Sequence, residues 1–518
     1  MTRTAGRSRS RGARASAAVW IPRFLPALSV LVFLAGAVYR FDGKLSMNGD
    51  DAEFLILGRA IAEGKGMVNL NEPEPTPHTK YPFFFPALLA ALQTAAPGSI
   101  LVPKVLVVLL GAGAAWLFAR LLLSIASMEV ALVASLAYAT NPFVLEFSYQ
   151  VLSETPFLFL GFLALVLFRR WEEKGGRGFL IGASAAAFAA YFTRTAGVAL
   201  VAAILAAILL RRRGKVALVF ALAFLAAAGS WAARNRAVGG GSAYVTQFLV
   251  KDPYNPDAGR LTLAHFFEKR LGGNLRTYGT FEMGRGILAA PFAGRSIGQA
   301  GSWRALALAL ALFSLAGLAV EARRRLGVIE IYTVLLLLVC LVWPEIWGSI
   351  RFLLPALPFL LYYTVRLAML AAARGGAGAA RAAPALLLVV LLASNVRANA
   401  VERPGNEYPP AWRNYEAAAA WARSNTPPES VIVCRKPGLF YVWSGRRSVV
   451  YLWSEDRKAV YDKLVADGVD YVVVAPLSAT TPRYLVPVIN EHRDRFEVVH
   501  QLRDPDTYVL RFLPEERP

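Results

Sequence analysis

The chain has 518 residues, 56% of them hydrophobic and only 18% charged, with a mean hydropathy of +0.44. A water-soluble protein of this length carries more charge and fewer long apolar runs, so that class is excluded. The net charge is +21, but the arginines gather at the ends of apolar runs and not along one amphipathic face, which argues against nucleic acid and for anionic lipid headgroups.

The N-terminus is basic from Arg3 to Arg23, then apolar from Phe24 to Val38. The residues that follow, Tyr39-Arg40-Phe41-Asp42, make a poor cleavage site, so the segment reads as an uncleaved first span. A helix needs about 20 apolar residues to cross the hydrocarbon. By that measure the chain holds about eleven spans, near 22–40, 100–120, 128–146, 153–170, 177–193, 195–211, 214–233, 303–321, 327–343, 351–372 and 383–400.

Loop charge orients this map. The even-numbered turns and the N-terminus carry Arg169-Arg170, Arg211-Arg212-Arg213, Arg323-Arg324-Arg325, Arg374 and Arg381, while the opposite short loops hold Glu146, Glu154 and Glu345. The positive-inside rule then puts the N-terminus in the cytoplasm and everything after Ala400 outside. Trp171, Trp231, Trp303, Trp343 and Trp347 fall near span ends, where an aromatic belt is expected. Two exterior loops are long, 40–99 and 232–302, and long ordered loops usually carry function. Ala52–Glu63 and Leu261–Leu271 within them are amphipathic and are expected to lie at the interface.

The tail from Pro404 changes character. Helices are expected over Tyr415–Ser424, Asp456–Asp467 and Pro482–Arg495, and strands over Ser430–Cys434, Ser448–Leu452, Asp470–Ala475, Phe496–Leu502 and Thr507–Phe512. The expected fold is therefore a polytopic all-α membrane protein with a small C-terminal α/β domain: 1–21 cytoplasmic, 22–403 membrane-spanning, 404–518 exterior. The two cysteines, Cys340 and Cys434, and four histidines suggest neither a disulfide framework nor a Cys- or His-rich metal centre.

Chemistry concentrates at the exterior ends of the spans. After span one comes Asn48-Gly49-Asp50-Asp51-Ala52-Glu53. Capping of a helix explains one Asp; two adjacent carboxylates at a membrane surface also suit a general base with an orienting partner. His78 and Lys80 stand before the Pro82-to-Pro86 re-entry, either snorkelling or facing a phosphate. Glu154 opens span four, and Thr193-Arg194-Thr195 separates spans five and six almost without a loop. Arg194, Arg234 and Arg351 all sit on the exterior side, against the charge trend, and arginine grips phosphate bidentately. A soluble nucleotide donor is out of place on that face; a lipid-linked phosphate is the natural partner.

These residues resemble the GT-C superfamily of membrane glycosyltransferases, in the bacterial branch related to protein mannosyltransferases and aminoarabinose lipid A transferases. The likeness rests on Gly49-Asp50-Asp51-Ala52, Lys80-Tyr81-Pro82 with Pro86-Ala87-Leu88-Leu89, Ser153-Glu154-Thr155-Pro156, Thr193-Arg194-Thr195-Ala196-Gly197, Trp231 with Arg234-Asn235, and Arg351-Phe352-Leu353-Leu354-Pro355. It implies inverting transfer of a sugar from a polyprenyl-phosphate donor to a cell-envelope acceptor, at the exterior face of the bacterial inner (plasma) membrane. By that likeness Asp50 is the base and Asp51 its partner, or a ligand to a divalent metal in members that use one. Lys80, Arg194, His78 and Arg351 then hold the donor phosphate, while Glu154, Glu53 and Arg234 position substrate. Many relatives carry Asp-Glu where this chain has Asp50-Asp51, and Arg-Pro or Arg-Glu where it has Arg194-Thr195, so the register of the base stays open. The rival functions are a lipid or saccharide transporter and a polysaccharide polymerase or ligase of the same superfamily; the halves of the chain show no internal repeat of the kind transporters use.

Overall fold

The computed structural model describes residues 5–514 except 240 and 406, with side chains from Arg23 onward. The basic side chains before Arg23 and the last four residues lie outside the described residues. Among the described residues, five helices are long and apolar enough to cross a membrane: Arg23–Arg40, Leu101–Ile125, Gly214–Gly239, Trp303–Arg324 and Ala377–Val401. The remaining expected spans are also helical, but shorter, broken or more polar: Met128–Thr140, Glu154–Lys174, Arg177–Thr193, Val198–Leu210, Val328–Val342 and Leu357–Arg374.

Three departures from the expected map build the site. The third span breaks at Asn141, whose side chain caps a new helix by accepting from Phe143 N at 3.1 Å, and Pro142 starts that helix, Pro142–Phe147. The chain then unwinds and restarts at Glu154, the first residue of the next helix. The tenth span begins at Leu357, not 351, so Arg351 sits on a separate short helix, Ile350–Leu353. Between Thr193 and Val198 the chain turns in three residues, and a Cβ on Gly197 would come within 2.6 Å of the Tyr191 backbone, so only glycine permits that turn.

The first long loop is ordered. A hairpin joins β1 (Val68–Asn69) to β2 (Thr76–Pro77), and helices Asp50–Ala62 and Phe84–Ala95 flank it. Asp50–Ala62 buries Ala52, Phe54, Leu55, Ile56 and Leu57 and packs against both Phe84–Ala95 and helix Pro437–Ser444 of the tail. It is enclosed by protein on two sides, so its apolar residues are covered by the chain itself.

The tail forms a five-stranded sheet from β3 (Val431–Val433), β4 (Arg447–Val449), β5 (Tyr471–Val474), β6 (Phe496–Leu502) and β7 (Thr507–Phe512), in the order β4-β3-β5-β7-β6. The first three strands run parallel, and β6 and β7 add an antiparallel pair. On β3, Val431 and Val433 face one buried cluster and Ile432 the other, as expected for a central strand buried on both faces. The expected helix over Pro482–Arg495 is a wide turn, Thr481–Leu485, that runs directly into helix Val486–Glu491, and a separate short turn, Arg493–Arg495, follows a break at His492. Cys340 and Cys434 are buried free thiols.

Candidate active site

Gly49 sets the geometry of the acidic pair. It takes a left-handed backbone (φ +83°) that reverses the chain immediately before helix Asp50–Ala62. The two aspartates that follow then point to different places. Asp51 is fully buried; Ser46 N–H donates to its Oδ2, and Ala52 N–H to its Oδ1 at 3.0 Å. It braces the 42–49 loop from inside, together with buried Lys104, whose Nζ donates to Asp42 O at 2.8 Å. Asp50 lines a cavity of about 430 Å³ together with Lys80, Arg194, Arg351 and Lys436. One aspartate therefore does the structural work of a helix start, and the other faces open space.

Arg351 is the hub of that cavity. Its Nη1 lies 2.7 Å from Asp50 Oδ2, and its Nε donates to Glu154 Oε1. The same Glu154 oxygen takes Arg194 Nη1 at 2.5 Å, and Arg194 also donates to Ser153 Oγ at 3.1 Å. Glu154 is completely buried, and its second oxygen has no hydrogen-bond partner among the described residues. It stands beneath two guanidiniums and holds both at the cavity wall. Lys80 Nζ sits 3.9 Å from Glu53 and 4.7 Å from the Tyr81 ring centroid. From the tail, Lys436 Nζ reaches over to donate to Asn48 O at 2.6 Å.

Charge decides the protonation of the pair. Burial works against ionisation of Asp50, but the charges of Arg351, Lys80 and Lys436 together hold it down at about 2. Asp51 goes the other way: burial outweighs its two backbone donors and Lys104 and lifts it to about 7. Its folded value thus lies above the ~3.9 of an unfolded aspartate. The folded state binds this proton more tightly, so the contribution to stability is full below pH ~4 and is lost as pH rises through about 7. Wild-type thermal stability is expected to fall between pH 5 and pH 8, and Asp51→Asn to flatten that slope; intrinsic-fluorescence melting in detergent measures it, and parallel pH profiles for the two proteins would count against the assignment.

Of the other residues expected at the site, Lys80, Arg194 and Arg351 line the cavity, and Glu53 lines its extension towards the tail. His78 does not supply the expected cation. Its Nε2 accepts from Tyr81 N–H at 2.9 Å and its Nδ1 pairs with Asn69 Oδ1 at 2.8 Å, an arrangement that requires a neutral ring. Burial and the nearby charges of Lys80 and Arg234 push its pKa down to about 3. Arg234 is also structural: it donates to His78 O at 2.5 Å and Met67 O at 3.1 Å, pinning the segment that presents Lys80. Asp50 turns to Arg351 and Asp51 to backbone donors, so the pair does not form a shared metal-ligand set. Among the described residues no group of three His, Cys, Asp or Glu side chains gathers for a metal.

Sequence reasoning missed Lys436, Tyr244 and Gln247 at the cavity, and placed Trp343 and Trp347 at a span end without assigning them to the site. Those two tryptophans line the cavity. The signal available was Trp343-Pro344-Glu345-Ile346-Trp347, two aromatics separated by a proline turn at a span end, beside the arginine that follows at 351. An apolar annex of about 280 Å³ adjoins the cavity, sharing Arg194, Tyr81 and Tyr244, and is walled by Val198, Val339 and Phe352 among others from the helix ends.

A family model described as dolichyl-phosphate-mannose-protein mannosyltransferase matches residues 78–231, a stretch that includes Lys80, Glu154 and Arg194. The structure resembles the Archaeoglobus fulgidus oligosaccharyltransferase tethered to an acceptor peptide, with a TM-score of 0.57 at 12% identity, covering 96% of this chain and 74% of that one. It also resembles ArnT from Cupriavidus metallidurans bound to undecaprenyl phosphate, with a TM-score of 0.51 at 13% identity, over 97% of this chain and 100% of that one. The chain has the GT-C fold. A further GT-C neighbour, AglB from A. fulgidus in complex with an inhibitory peptide and a dolichol-phosphate, matches with a TM-score of 0.56 at 13% identity, over 87% of this chain and 69% of that one. No curated protein matches the chain by sequence. Within this GT-C fold the charged cavity lies where the helix ends, the first long loop and the tail meet.

Proposed function

We propose that the chain is an integral-membrane glycosyltransferase that moves a sugar from a polyprenyl-phosphate donor to a cell-envelope acceptor, with inversion, at the exterior face of a bacterial inner membrane. The observation that carries this reading is one cavity lined by a single ionised carboxylate, Asp50, and by four cations, Lys80, Arg194, Arg351 and Lys436, with an apolar annex opening from it between helix ends. In this reading residues 404–518 form the exterior domain that closes the cavity from above.

The chemistry follows from the lining. The donor phosphate is held by Arg194, Lys80 and Arg351, and the first isoprene units rest in the annex. The acceptor hydroxyl attacks the anomeric carbon from the face opposite the phosphate. The new C–O bond forms as the old one breaks, the leaving electron pair passes to polyprenyl phosphate, and the hydroxyl proton passes to Asp50. A phosphate on Arg351 draws that guanidinium away from Asp50 and so makes the carboxylate more basic when donor is bound.

Labelled lipid-linked sugars in proteoliposomes test the proposal. Label is expected to appear in a lipid-free or altered acceptor product; movement of label across the bilayer with no transfer would replace the enzyme by a transporter. Arg194→Ala is expected to weaken binding of undecaprenyl phosphate about 10- to 100-fold, the worth of a charge-assisted hydrogen bond of ~1.5–3 kcal/mol. Unchanged affinity in a lipid-binding titration would remove Arg194 from the phosphate site.

A further inference from the structure

A second cavity, of about 210 Å³, continues from the first towards the tail and shares Asp50, Lys80 and Lys436 with it. Its walls come from parts of the chain far apart in sequence. The loop at Tyr254 supplies one side, Trp347 another, and Arg435 and Trp453 of the tail the third. The seam between them is closed by hydrogen bonds: Tyr484 OH donates to Tyr254 O at 3.1 Å, and Glu455 N–H to Asp257 Oδ2 at 3.1 Å.

Two features of this space point to the kind of molecule it takes. First, the aromatic rings form a connected wall. Tyr254 and Trp453 have ring centroids 5.3 Å apart, and Trp347 meets Tyr254 edge-on at 6.2 Å, its Nε1 donating to Tyr254 OH at 3.2 Å. Second, Arg435 lies over that wall, 5.1 Å from the Trp453 centroid and 5.7 Å from that of Tyr254. Its Nε is fixed by Ser478 Oγ at 2.8 Å, and among the described residues no carboxylate pairs with it.

Resting on the glycosyltransferase assignment above, we propose that the acceptor is a saccharide seated in this seam, and that Arg435 and Trp453 are specificity-determining residues contributed by the tail. A pyranose ring has an apolar C–H face that packs on an indole or phenol ring. Its rim of hydroxyls accepts hydrogen bonds, which suits the Arg435 guanidinium and the Lys436 and Lys80 ammonium groups that line the same space. Asp50 borders both cavities, so a hydroxyl presented from the seam reaches the carboxylate while the donor phosphate stays on the arginine side.

The test uses the full-length protein in detergent, with labelled lipid-linked sugars and cell-envelope material from a strain lacking the protein. Envelope material pretreated with proteinase K is expected to remain a full acceptor, whereas periodate oxidation of its vicinal diols, followed by quenching, is expected to abolish acceptance. Trp453→Ala and Arg435→Ala should each raise the apparent KM for envelope acceptor about tenfold without changing affinity for undecaprenyl phosphate. Trp453→Phe, which keeps an aromatic face, should recover most of the loss and guards against a merely misfolded alanine variant. Transfer that proteinase K abolishes, or an unaltered KM in both alanine variants, overturns the saccharide assignment while leaving the transferase in place. Absence of any transfer by the wild type to any fraction is a different outcome, and overturns the enzyme itself along with this acceptor.

Discussion

Asp50→Asn is expected to lower sugar transfer by about 10²- to 10⁴-fold, the usual contribution of a positioned general base. The substitution is nearly isosteric. It leaves an oxygen for Arg351 but removes the charge that accepts the acceptor's proton. Because Arg351 lies 2.7 Å from Asp50 in the wild type, neutralising the aspartate also releases that guanidinium towards the donor phosphate. Affinity for undecaprenyl phosphate is therefore expected to hold or to rise slightly, which separates loss of chemistry from loss of binding. Asp51→Asn serves as the internal contrast: its carboxylate is occupied by backbone donors and faces away from Arg351, so transfer should persist. Transfer rates measured with a lipid-linked sugar decide the matter, and a fully active Asp50→Asn protein would remove the aspartate from the mechanism.

The contrast between these neighbours shows where sequence reasoning reached and where it stopped. Long apolar runs are local, and the length needed to cross a bilayer is fixed, so the expected spans appear as helices even where they are short or broken. Arg194 and Arg351 could be read as well, because a cation on the exterior end of a span violates a charge trend visible in the sequence. The direction of a side chain is not local in the same way. The left-handed turn at Gly49 sends Asp50 to the cavity and Asp51 to the loop interior, a division that the string Gly49-Asp50-Asp51 does not carry. His78 and Arg234 looked like candidate cations for the same reason, and only the fold shows the histidine ring accepting from Tyr81 and the guanidinium spent on two carbonyls.

The tail's contribution was the least legible. Lys436 meets Asn48 across a separation of 388 residues, and nothing in either segment announces the other. Helix Pro437–Ser444 was overlooked although Pro437 at its first position is a standard start signal, because eight residues are too few to display a helical period. That short helix nevertheless carries Gly438 against helix Asp50–Ala62, where its ideal Cβ position lies 3.5 Å from Glu53 Cγ. The tail therefore presses directly on the element that bears Asp50, and its sheet serves as the frame for the two cations at the head of β3, Arg435 and Lys436.

The second large effect is expected at Glu154. Its carboxylate is completely buried, yet a single oxygen receives both Arg194 and Arg351. Glu154→Gln keeps the shape and removes the charge, leaving two guanidiniums facing one another in a poorly solvated wall. Breaking a buried ion pair by deleting one partner costs ~3–5 kcal/mol, so a substantial drop in melting temperature is expected together with a loss of transfer. The donor offers a specific check on this explanation. A phosphate bound between the two arginines supplies the negative charge that the glutamine lacks, and a ligand that binds only the folded state stabilises it by an amount that grows with the logarithm of its affinity. Undecaprenyl phosphate should therefore raise the melting temperature of Glu154→Gln by more than it raises that of the wild type. A glutamine variant that melts like the wild type, or that gains nothing extra from the lipid phosphate, would mean that Glu154 does not hold the two arginines in place for the donor.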